Sequence, residues 1–230
     1  YEGSFVLYDL ENDAWSIHNK DHATLRVAPN STYKIYDALF GLEEGVITPE
    51  NSFIAWNGEI YPFEAWNADQ TLQSAMNSSV NWYFQTVDEQ LGASDVYSYI
   101  QEIGYGNENM SGDFSTYWME SSLEISPIEQ VELLAKLQNN SFGFAPENIS
   151  TVKDAICLSS SDAGTFYGKT GTGRVNGQYV NGWFIGYIET ADNTYFFATN
   201  ISADSDATGG NATEITMSIL SDMNIWVSQK

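Results

Sequence analysis

Alternating apolar and polar positions predict β-strands at both ends of the chain. Near its start, residues 4–8 and 14–17 favour two strands joined by a turn. Near its end, residues 179–188 and 194–201 are rich in aromatic and β-branched side chains, and an Asp-Asn pair between them predicts a hairpin turn. The pattern therefore predicts one hairpin from each end of the chain.

Helical spacing of apolar residues dominates the region between these strands. One helix is predicted between about residue 30 and Gly45, because apolar residues recur on one face there. Residues 72–91 and 125–137 show the same spacing, and the second begins at a Ser-Pro-x-x-Glu start signal. A last helix is predicted from about residue 213 to residue 226.

This order of elements predicts an α+β fold in the form of an α/β/α sandwich. We expect one antiparallel sheet, built from both termini and flanked by helices. A single domain is predicted over residues 1–230, with a sheet region at about 1–45 and 160–230 and a helical lobe at about 50–150. A cleft between sheet and lobe would be lined by both halves of the chain.

Composition limits the partners of this domain. The chain has 230 residues, 43% of them hydrophobic, which is typical of a globular protein, and no apolar run approaches the roughly 20 residues that cross a bilayer. The net charge of −23 would repel nucleic acid and anionic lipid, so neither is predicted as a partner. One cysteine and two histidines argue against a His/Cys metal site, and no metal is predicted.

Ser31 and Lys34 form a Ser-x-x-Lys motif at the start of the first predicted helix. Residues three apart share a helix face, so the hydroxyl and the amine can meet. The amine is a base only when neutral, so its pKa must fall from about 10.4 by roughly 3 units, which burial can supply. The same spacing recurs at Ser150 and Lys153, and for either match alone the alternative is a helix-capping serine beside a solvated lysine.

Two further short motifs carry polar groups that suit a binding site. Residues 169–172 read Lys-Thr-Gly-Thr, in which a glycine lets a ligand lie close to a strand and the hydroxyls can bind a carboxylate. A hairpin turn with a chance lysine is the alternative. Ser79 and Asn81 can both point into a cleft at a helix end, or they can belong to an ordinary polar helix surface.

Ser-x-x-Lys, Ser-x-Asn and Lys-Thr-Gly, in this order, form a set found in penicillin-binding proteins and class A β-lactamases. Around these motifs the chain resembles the penicillin-sensing domains of the BlaR and MecR receptors, whose nearest relatives are class D β-lactamases. The resemblance implies a fold of the serine β-lactamase and penicillin-binding-protein transpeptidase type. The segments that carry it are residues 29–36, 61–63, 66–67, 79–83, 105–107, 117–120, 125–126, 129–130, 169–173 and 181–184.

The resemblance implies roles for the residues that would perform acylation. Ser31 would be the nucleophile, and its own N–H with that of Thr172 would form the oxyanion hole. Lys34 would take up carbon dioxide and, as a carbamate, serve as the general base. Apart from this carbon dioxide adduct, no cofactor is implied. Trp118 would donate a hydrogen bond to that carbamate.

The resemblance also implies a proton relay and a substrate-binding segment. Ser79 would pass the proton onward after the attack. Lys169 belongs to the catalytic set as well, and the strand that begins with it would hold the carboxylate of the drug. The segment consists of Lys169, Thr170, Gly171 and Thr172.

Within this resemblance, Asn81 distinguishes a sensor from a hydrolase. Class D β-lactamases carry an apolar residue at this position, which keeps the carbamate stable, whereas the sensors carry an amide. The amide oxygen can accept a hydrogen bond from a Lys34 ammonium and so favour loss of carbon dioxide after acylation. We therefore predict a sensor that performs acylation without net turnover. A class D β-lactamase is the alternative, and a cell-wall peptidase inhibited by β-lactams is a third hypothesis.

The resemblance finally implies partners and a location. The ligand would be a β-lactam antibiotic, bound covalently. The sensors are parts of longer proteins with membrane helices and a cytoplasmic zinc-protease module that carries His-Glu-x-x-His. The implied location is the extracytoplasmic face of the cell membrane, with secretion as the alternative.

Overall fold

A computed structural model describes residues 1–226 of the chain. Its strands are Glu2–Asp9 (β1), Ala14–His18 (β2), Cys157–Ser161 (β3), Gly164–Val175 (β4), Gln178–Glu189 (β5) and Thr194–Ser202 (β6). Its helices are Lys20–Ala23 (α1), Lys34–Glu43 (α2), Leu72–Asn77 (α3), Asn81–Leu91 (α4), Ala93–Ile103 (α5), Pro127–Gln138 (α6), Pro146–Ala155 (α7) and Gly209–Asp222 (α8). Short 3-10 turns cover Asn30–Thr32 and Glu64–Trp66.

The strands form one antiparallel sheet, in which both ends of the chain meet. Within the described residues the sheet has six strands in the order β2-β1-β6-β5-β4-β3. β1 pairs with β6, with Val6 opposite Ala198, and the turn between β5 and β6 is closed by a 2.8 Å hydrogen bond from the Thr190 N–H to the Asn193 carbonyl. The predicted sheet and both predicted hairpins are confirmed.

Helices pack on both faces of the sheet. On one face, α8 contributes Leu220 to a buried cluster with Phe184 and Phe197 of the sheet. On the other face, Val6 and Ile185 belong to a larger buried cluster that includes residues of α2, α4 and α6. Burial of apolar side chains on both faces explains why the central strand β5 is apolar along most of its length. The predicted α/β/α sandwich is therefore confirmed.

The apolar spacing over residues 72–91 predicted helix throughout, and this prediction is wrong at its centre. α3 ends at Asn77 and α4 begins at Asn81. Between them, Ser79 has a φ of 54°, in the left-handed region that a helix cannot include. Apolar periodicity continues across the break because both helices bury residues in the same cluster, so the pattern alone did not reveal it.

Other boundaries differ by a few residues. α2 begins at Lys34 instead of near residue 30, because Asn30 has a φ of 50° and is the first residue of a 3-10 turn. α6 begins as predicted, with a reciprocal capping box between Ser126 and Glu129. α8 begins before residue 213 and ends at Asp222. Within residues 1–226, no helix is long and apolar enough to cross a bilayer.

Candidate active site

A cavity of about 610 Å³ lies between strand β4 and the break between α3 and α4. Both halves of the chain line it, as the sequence predicted. The predicted site residues in its wall are Ser31, Ser79, Asn81, Thr170, Gly171 and Thr172. The three motifs, which are far apart in sequence, therefore meet at one cavity.

Three residues of the cavity wall have a left-handed backbone although none is glycine. The φ angles are 50° at Asn30, 54° at Ser79 and 43° at Glu120. Such conformations cost on the order of 1–3 kcal/mol each and persist only where the surroundings hold them. The Asn30 side chain donates to Glu120 Oε1 at 2.8 Å, and the Asn30 N–H donates to the Trp118 carbonyl at 2.9 Å. These contacts fix the turn that carries Ser31.

The Lys34 amine is the centre of the site. Its Nζ donates to Ser31 Oγ at 2.9 Å and to Asn81 Oδ1 at 2.6 Å. It also meets the Ser79 carbonyl at 2.7 Å and the Ser79 hydroxyl at 3.2 Å. Ser31 precedes Lys34 by three residues across the 3-10 turn, so the predicted meeting of hydroxyl and amine is realised in a tighter geometry than an α-helix.

Burial controls the charge of this amine. Lys34 has no exposed surface, and desolvation holds its pKa well below the usual range for lysine. The nearby positive charge of Lys169 lowers the Lys34 pKa further, while Asp37 acts in the opposite direction. A lysine in this state can be neutral near physiological pH, which is the condition for action as a base.

Lys169 extends the same hydrogen-bonded chain from the sheet side. Its Nζ donates to Ser79 Oγ at 2.9 Å and to the Thr170 carbonyl at 3.0 Å. Burial lowers the pKa of Lys169 to about 7. The Ser79 hydroxyl thus lies between the amines of Lys34 and Lys169, which is the position that a proton relay requires.

The Asn81 side chain is held in one orientation. Its oxygen accepts from Lys34, and its amide nitrogen donates to the sulfur of Met119 at 3.1 Å. A flipped amide would point an N–H group at the lysine amine. Asn81 is the first residue of α4, so the break at Ser79 also sets its direction.

Trp118 lies behind Lys34 and does not line the cavity. Its indole is fully buried, and its ring centroid is 5.3 Å from Lys34 Nζ. Its indole N–H makes no hydrogen bond within the described residues, although it lies near enough to Asp88 to favour the charged form of that carboxyl. The structure places Trp118 beside Lys34 and outside the residues that line the cavity, and its predicted hydrogen bond to a carbamate on Lys34 stays a prediction.

The β4 segment supplies the opposite wall. A Cβ atom at Gly171 would lie 2.9 Å from the Pro29 carbonyl oxygen and 3.2 Å from Thr32, so glycine is needed for β4 to pack against the turn that carries Ser31. The Thr172 hydroxyl accepts a 2.8 Å hydrogen bond from the Gly209 N–H at the start of α8. The segment is therefore a strand, and the alternative of a hairpin turn is excluded.

Several residues of the cavity wall were not predicted as site residues. Glu120 accepts hydrogen bonds from Asn30 and from Asn181, each at 2.8 Å, and so joins the Ser31 turn to β5. Arg174 lies at the rim, 5.7 Å from the ring centroid of Tyr179. Glu120 lies in the segment 117–120 that carries the resemblance, but no catalytic motif marks either position, because their roles depend on chain segments that meet only in the fold.

Comparison with known proteins identifies the family. The family model for the penicillin binding protein transpeptidase domain matches residues 3–221. This chain belongs to that family. A solved structure, the C-terminal domain of the BlaR penicillin receptor of Bacillus licheniformis, matches this transpeptidase-type domain with a TM-score of 0.95 and 46% identity, over 98% of this chain and 92% of that one.

Two further relatives show both branches of the resemblance. The regulatory protein BlaR1 of Bacillus licheniformis is 47% identical over 226 residues, which is 98% of this chain and 37% of that protein. A class D β-lactamase from Bacillus subtilis matches with a TM-score of 0.93 and 36% identity, over 99% of this chain and 93% of that one. The transpeptidase-type domain is thus homologous to the BlaR sensor domain and related to class D β-lactamases, which confirms the resemblance predicted from the sequence.

Proposed function

We propose that this chain is the β-lactam-sensing domain of a BlaR/MecR-type receptor. Ser31 is acylated by the antibiotic, and the acyl group then persists long enough to act as a signal for induction of β-lactam resistance. The observation that carries this proposal is the 2.6 Å hydrogen bond between Lys34 Nζ and Asn81 Oδ1, at the position where a hydrolase needs a free base.

Acylation follows from the order of the hydrogen-bonded groups. The neutral Lys34 amine accepts the proton of Ser31 Oγ, which lies 2.9 Å away, as the oxygen attacks the lactam carbonyl carbon. The carbon–nitrogen bond of the lactam breaks, and its nitrogen takes a proton from Ser79. The Ser79 hydroxyl regains a proton from Lys34, 3.2 Å away, so the proton of the serine ends on the leaving nitrogen.

The surroundings of Lys34 fit an adduct with carbon dioxide. The amine is buried, its pKa is depressed, and the unpaired indole N–H of Trp118 offers a donor close by. A carbamate on Lys34 would supply an anionic general base at the same place as the amine. Because the adduct forms only from the neutral amine, burial of Lys34 is the property of this chain on which it depends.

The substrate carbonyl and carboxylate need separate partners. The N–H groups of Ser31 and Thr172 form the oxyanion hole in this proposal, since both residues line the cavity. Lys169, Thr170 and Thr172 bind the carboxylate of the drug, because β4 presents a buried lysine beside two hydroxyl groups. A protonated Lys169 supplies the positive potential.

Persistence of the acyl group follows from Asn81. Acylation returns Lys34 to the neutral amine, which then takes up a proton from solvent; the Asn81 oxygen accepts a hydrogen bond from the resulting ammonium, which has no lone pair with which to activate water. An apolar residue at the same position would leave the lysine free to act as a base again. A class D β-lactamase is the second candidate, favoured by the 36% identical structure from Bacillus subtilis.

The chain spans 37% of the length of the BlaR1 relative, so the remainder of such a receptor is part of the proposal. In a full-length protein, this domain would stand on the extracytoplasmic face of the membrane. Membrane helices and a cytoplasmic zinc-protease module would then receive the signal. The β-lactam itself is the covalent partner.

The test is the intact mass of the domain, followed for hours with excess benzylpenicillin, while the remaining drug is measured in parallel. The proposal predicts one adduct per chain that persists, with no more drug consumed than protein acylated. Return to free protein with continued loss of drug would favour the class D β-lactamase. An unmodified mass with intact drug would contradict both candidates.

A further inference from the structure

One arginine lies at the rim of the cavity and takes no part in the proposed acylation. Within residues 1–226, Arg174 is the only lysine or arginine among the side chains that line the cavity. Lys34 and Lys169 are buried and do not line it. Arg174 is exposed, and a guanidinium keeps its proton throughout the pH range in which proteins fold. The rim therefore carries a permanent positive charge.

No carboxylate forms an ion pair with this guanidinium in the part of the chain that the structure describes. The ion pairs there join Arg26 to Glu129 and Lys153 to Glu189. The chain has 31 aspartates and glutamates but only eight lysines and arginines, so acidic partners are plentiful. An arginine that lines the cavity without such a partner is available to an anionic ligand.

The β4–β5 hairpin holds Arg174 in place. Arg174 lies opposite Tyr179 in the hairpin, and its guanidinium carbon is 5.7 Å from the centroid of the Tyr179 ring, which also lines the cavity. Stacking on an aromatic ring orients a guanidinium while leaving its edge free for hydrogen bonds. The turn residues Asn176 and Gly177 have φ angles of 49° and 83°, the left-handed values that tight hairpins use. The charge is therefore presented at a defined end of β4.

Arg174 continues a row of polar side chains along β4. Side chains alternate between the two faces of a strand, so Thr170, Thr172 and Arg174 share one face. Gly173 faces the other way, because a Cβ atom there would overlap with the carboxylate of Glu120. Glu120 is the acidic residue of the cavity wall, so its charge lies on the opposite face of the strand from the guanidinium.

The proposed acylation complex determines which part of a β-lactam reaches Arg174. In that complex the ring carboxylate lies toward Lys169 and Thr170, and the lactam oxygen accepts from the Thr172 N–H. In a penicillin the ring carboxylate is on the nitrogen side of the lactam, and the acylamino side chain is on its carbonyl side. A drug that lies along β4 therefore directs its side chain past Thr172 toward Arg174, which is two residues or roughly 7 Å further along the strand.

We propose that Arg174, stacked on Tyr179, is a specificity-determining residue that binds a second carboxylate, carried by the acylamino side chain of a β-lactam. The net charge of −23 repels a dianionic drug, and a guanidinium at the rim offsets that repulsion where the drug enters. This inference rests on the proposed function and deepens it, because it names dianionic β-lactams as a ligand class of the cavity.

The experiment compares two penicillins that differ by one group. Carbenicillin is benzylpenicillin with a carboxylate on the side-chain carbon next to the phenyl ring. The second-order rate constant of acylation by each drug is measured at low and at high salt for the wild type, Arg174→Gln and Arg174→Lys. Lys136→Gln is the matched control, because Lys136 is an exposed cation on α6 that does not line the cavity. Urea denaturation checks that every variant is folded.

The ratio of the carbenicillin rate constant to the benzylpenicillin rate constant is the quantity that tests the inference. In Arg174→Gln this ratio should fall roughly three- to fivefold at low salt, the size expected for an exposed ion pair. High salt should reduce the difference, because it screens exposed charges. Arg174→Lys should keep part of the ratio, since it keeps the charge but loses the planar fork. Lys136→Gln should keep the wild-type ratio.

An unchanged ratio in Arg174→Gln would overturn the inference. If both drugs slowed equally, Arg174 would contact the ring carboxylate that they share, and if neither slowed, it would contact no carboxylate. A ratio that falls equally in Lys136→Gln would show an effect of net charge alone, which also contradicts a binding role for Arg174. In each of these cases the wild type is acylated and the proposed function stands. Failure of both penicillins to acylate the wild type would instead contradict the proposed function, and this inference with it.

Discussion

The chain contains the Ser-x-x-Lys spacing twice, and the two copies have opposite environments. Ser31 and Lys34 lie at a cavity, and the lysine is fully buried and forms no ion pair within residues 1–226. Ser150 is exposed on α7, and Lys153 pairs with Glu189 Oε1 at 2.8 Å with its side chain 24% exposed. One lysine is desolvated without a partner carboxylate at its amine, and the other is charge-paired near solvent.

The difference shows that the spacing is not the source of the chemistry. Spacing brings a hydroxyl near an amine, but only desolvation lowers the pKa of that amine enough to make it a base. The Lys153 amine instead lies 2.8 Å from a carboxylate oxygen of Glu189, and both side chains are partly exposed. The comparison therefore predicts that equivalent substitutions in the two copies have very different consequences.

The largest expected effect is on the nucleophile. Ser31→Ala should abolish the benzylpenicillin adduct, because it removes the proposed nucleophile, whose oxygen lies 2.9 Å from the Lys34 amine. Ser150→Ala, the matched control, should be acylated like the wild type. Intact mass after incubation with drug provides the measurement, and an adduct on Ser31→Ala at the wild-type level would reject the nucleophile assignment.

The second effect concerns the two lysines. Lys34→Met should slow acylation by roughly 10²–10⁴-fold, the usual contribution of a general base. Lys153→Met should leave the acylation rate unchanged and lower the free energy of unfolding by about 0–1 kcal/mol, as for a partly exposed ion pair. Stopped-flow acylation and urea denaturation measure these quantities. Equal rates for both variants would refute the distinction between the two copies.

The third effect concerns release of the acyl group. Asn81→Val removes the oxygen that lies 2.6 Å from Lys34 Nζ, so the amine is freer to lose its proton. We expect deacylation to accelerate by roughly tenfold, in line with about 1.4 kcal/mol for one lost interaction with a charged group. The deacylation rate is measured from the decay of the acyl adduct after free drug has been removed. An unchanged decay would show that Asn81 does not hold the base in its inactive form.

The last effect is on the pH dependence of stability, not on a reaction rate, and follows from Lys169. Burial lowers its pKa to about 7. Between this value and the unfolded value of about 10.4, the unfolded chain binds the proton and the folded chain does not, so stability rises with pH by up to about 1.4 kcal/mol per unit. The gain is complete above the unfolded pKa and is lost as pH falls toward 7. Urea denaturation between pH 7 and about 10.4 should show that the free energy of unfolding rises less steeply with pH in Lys169→Met than in the wild type. Equal slopes for the two proteins would contradict the lowered pKa of Lys169.

Much of the fold could be predicted because it depends on local patterns. The two hairpins alternate clearly, and the Ser126 and Glu129 capping box marks the start of α6. The break at Ser79 could not be predicted, because its left-handed backbone is imposed by contacts with distant segments and leaves the apolar periodicity intact.

The candidate site was also partly predictable, because its motifs are local features of the sequence. Motifs and family resemblance named the candidate site residues, and the fold brings most of them to the wall of one cavity. Groups that act through other residues, such as Glu120, which joins the Ser31 turn to β5, belong to no catalytic motif. Their significance depends on burial and on which side chains face them, and neither property is written in a single sequence.

The most direct test of the central claim is a titration of the Lys34 amine in the drug-free domain, measured by nitrogen NMR and assigned with Lys34→Met. If burial makes this lysine a base, its amine should titrate well below the value of about 10.4 found for unfolded chains. Titration of Lys34 at that ordinary value would contradict the account, because the amine would then be charged and unable to accept the proton of Ser31.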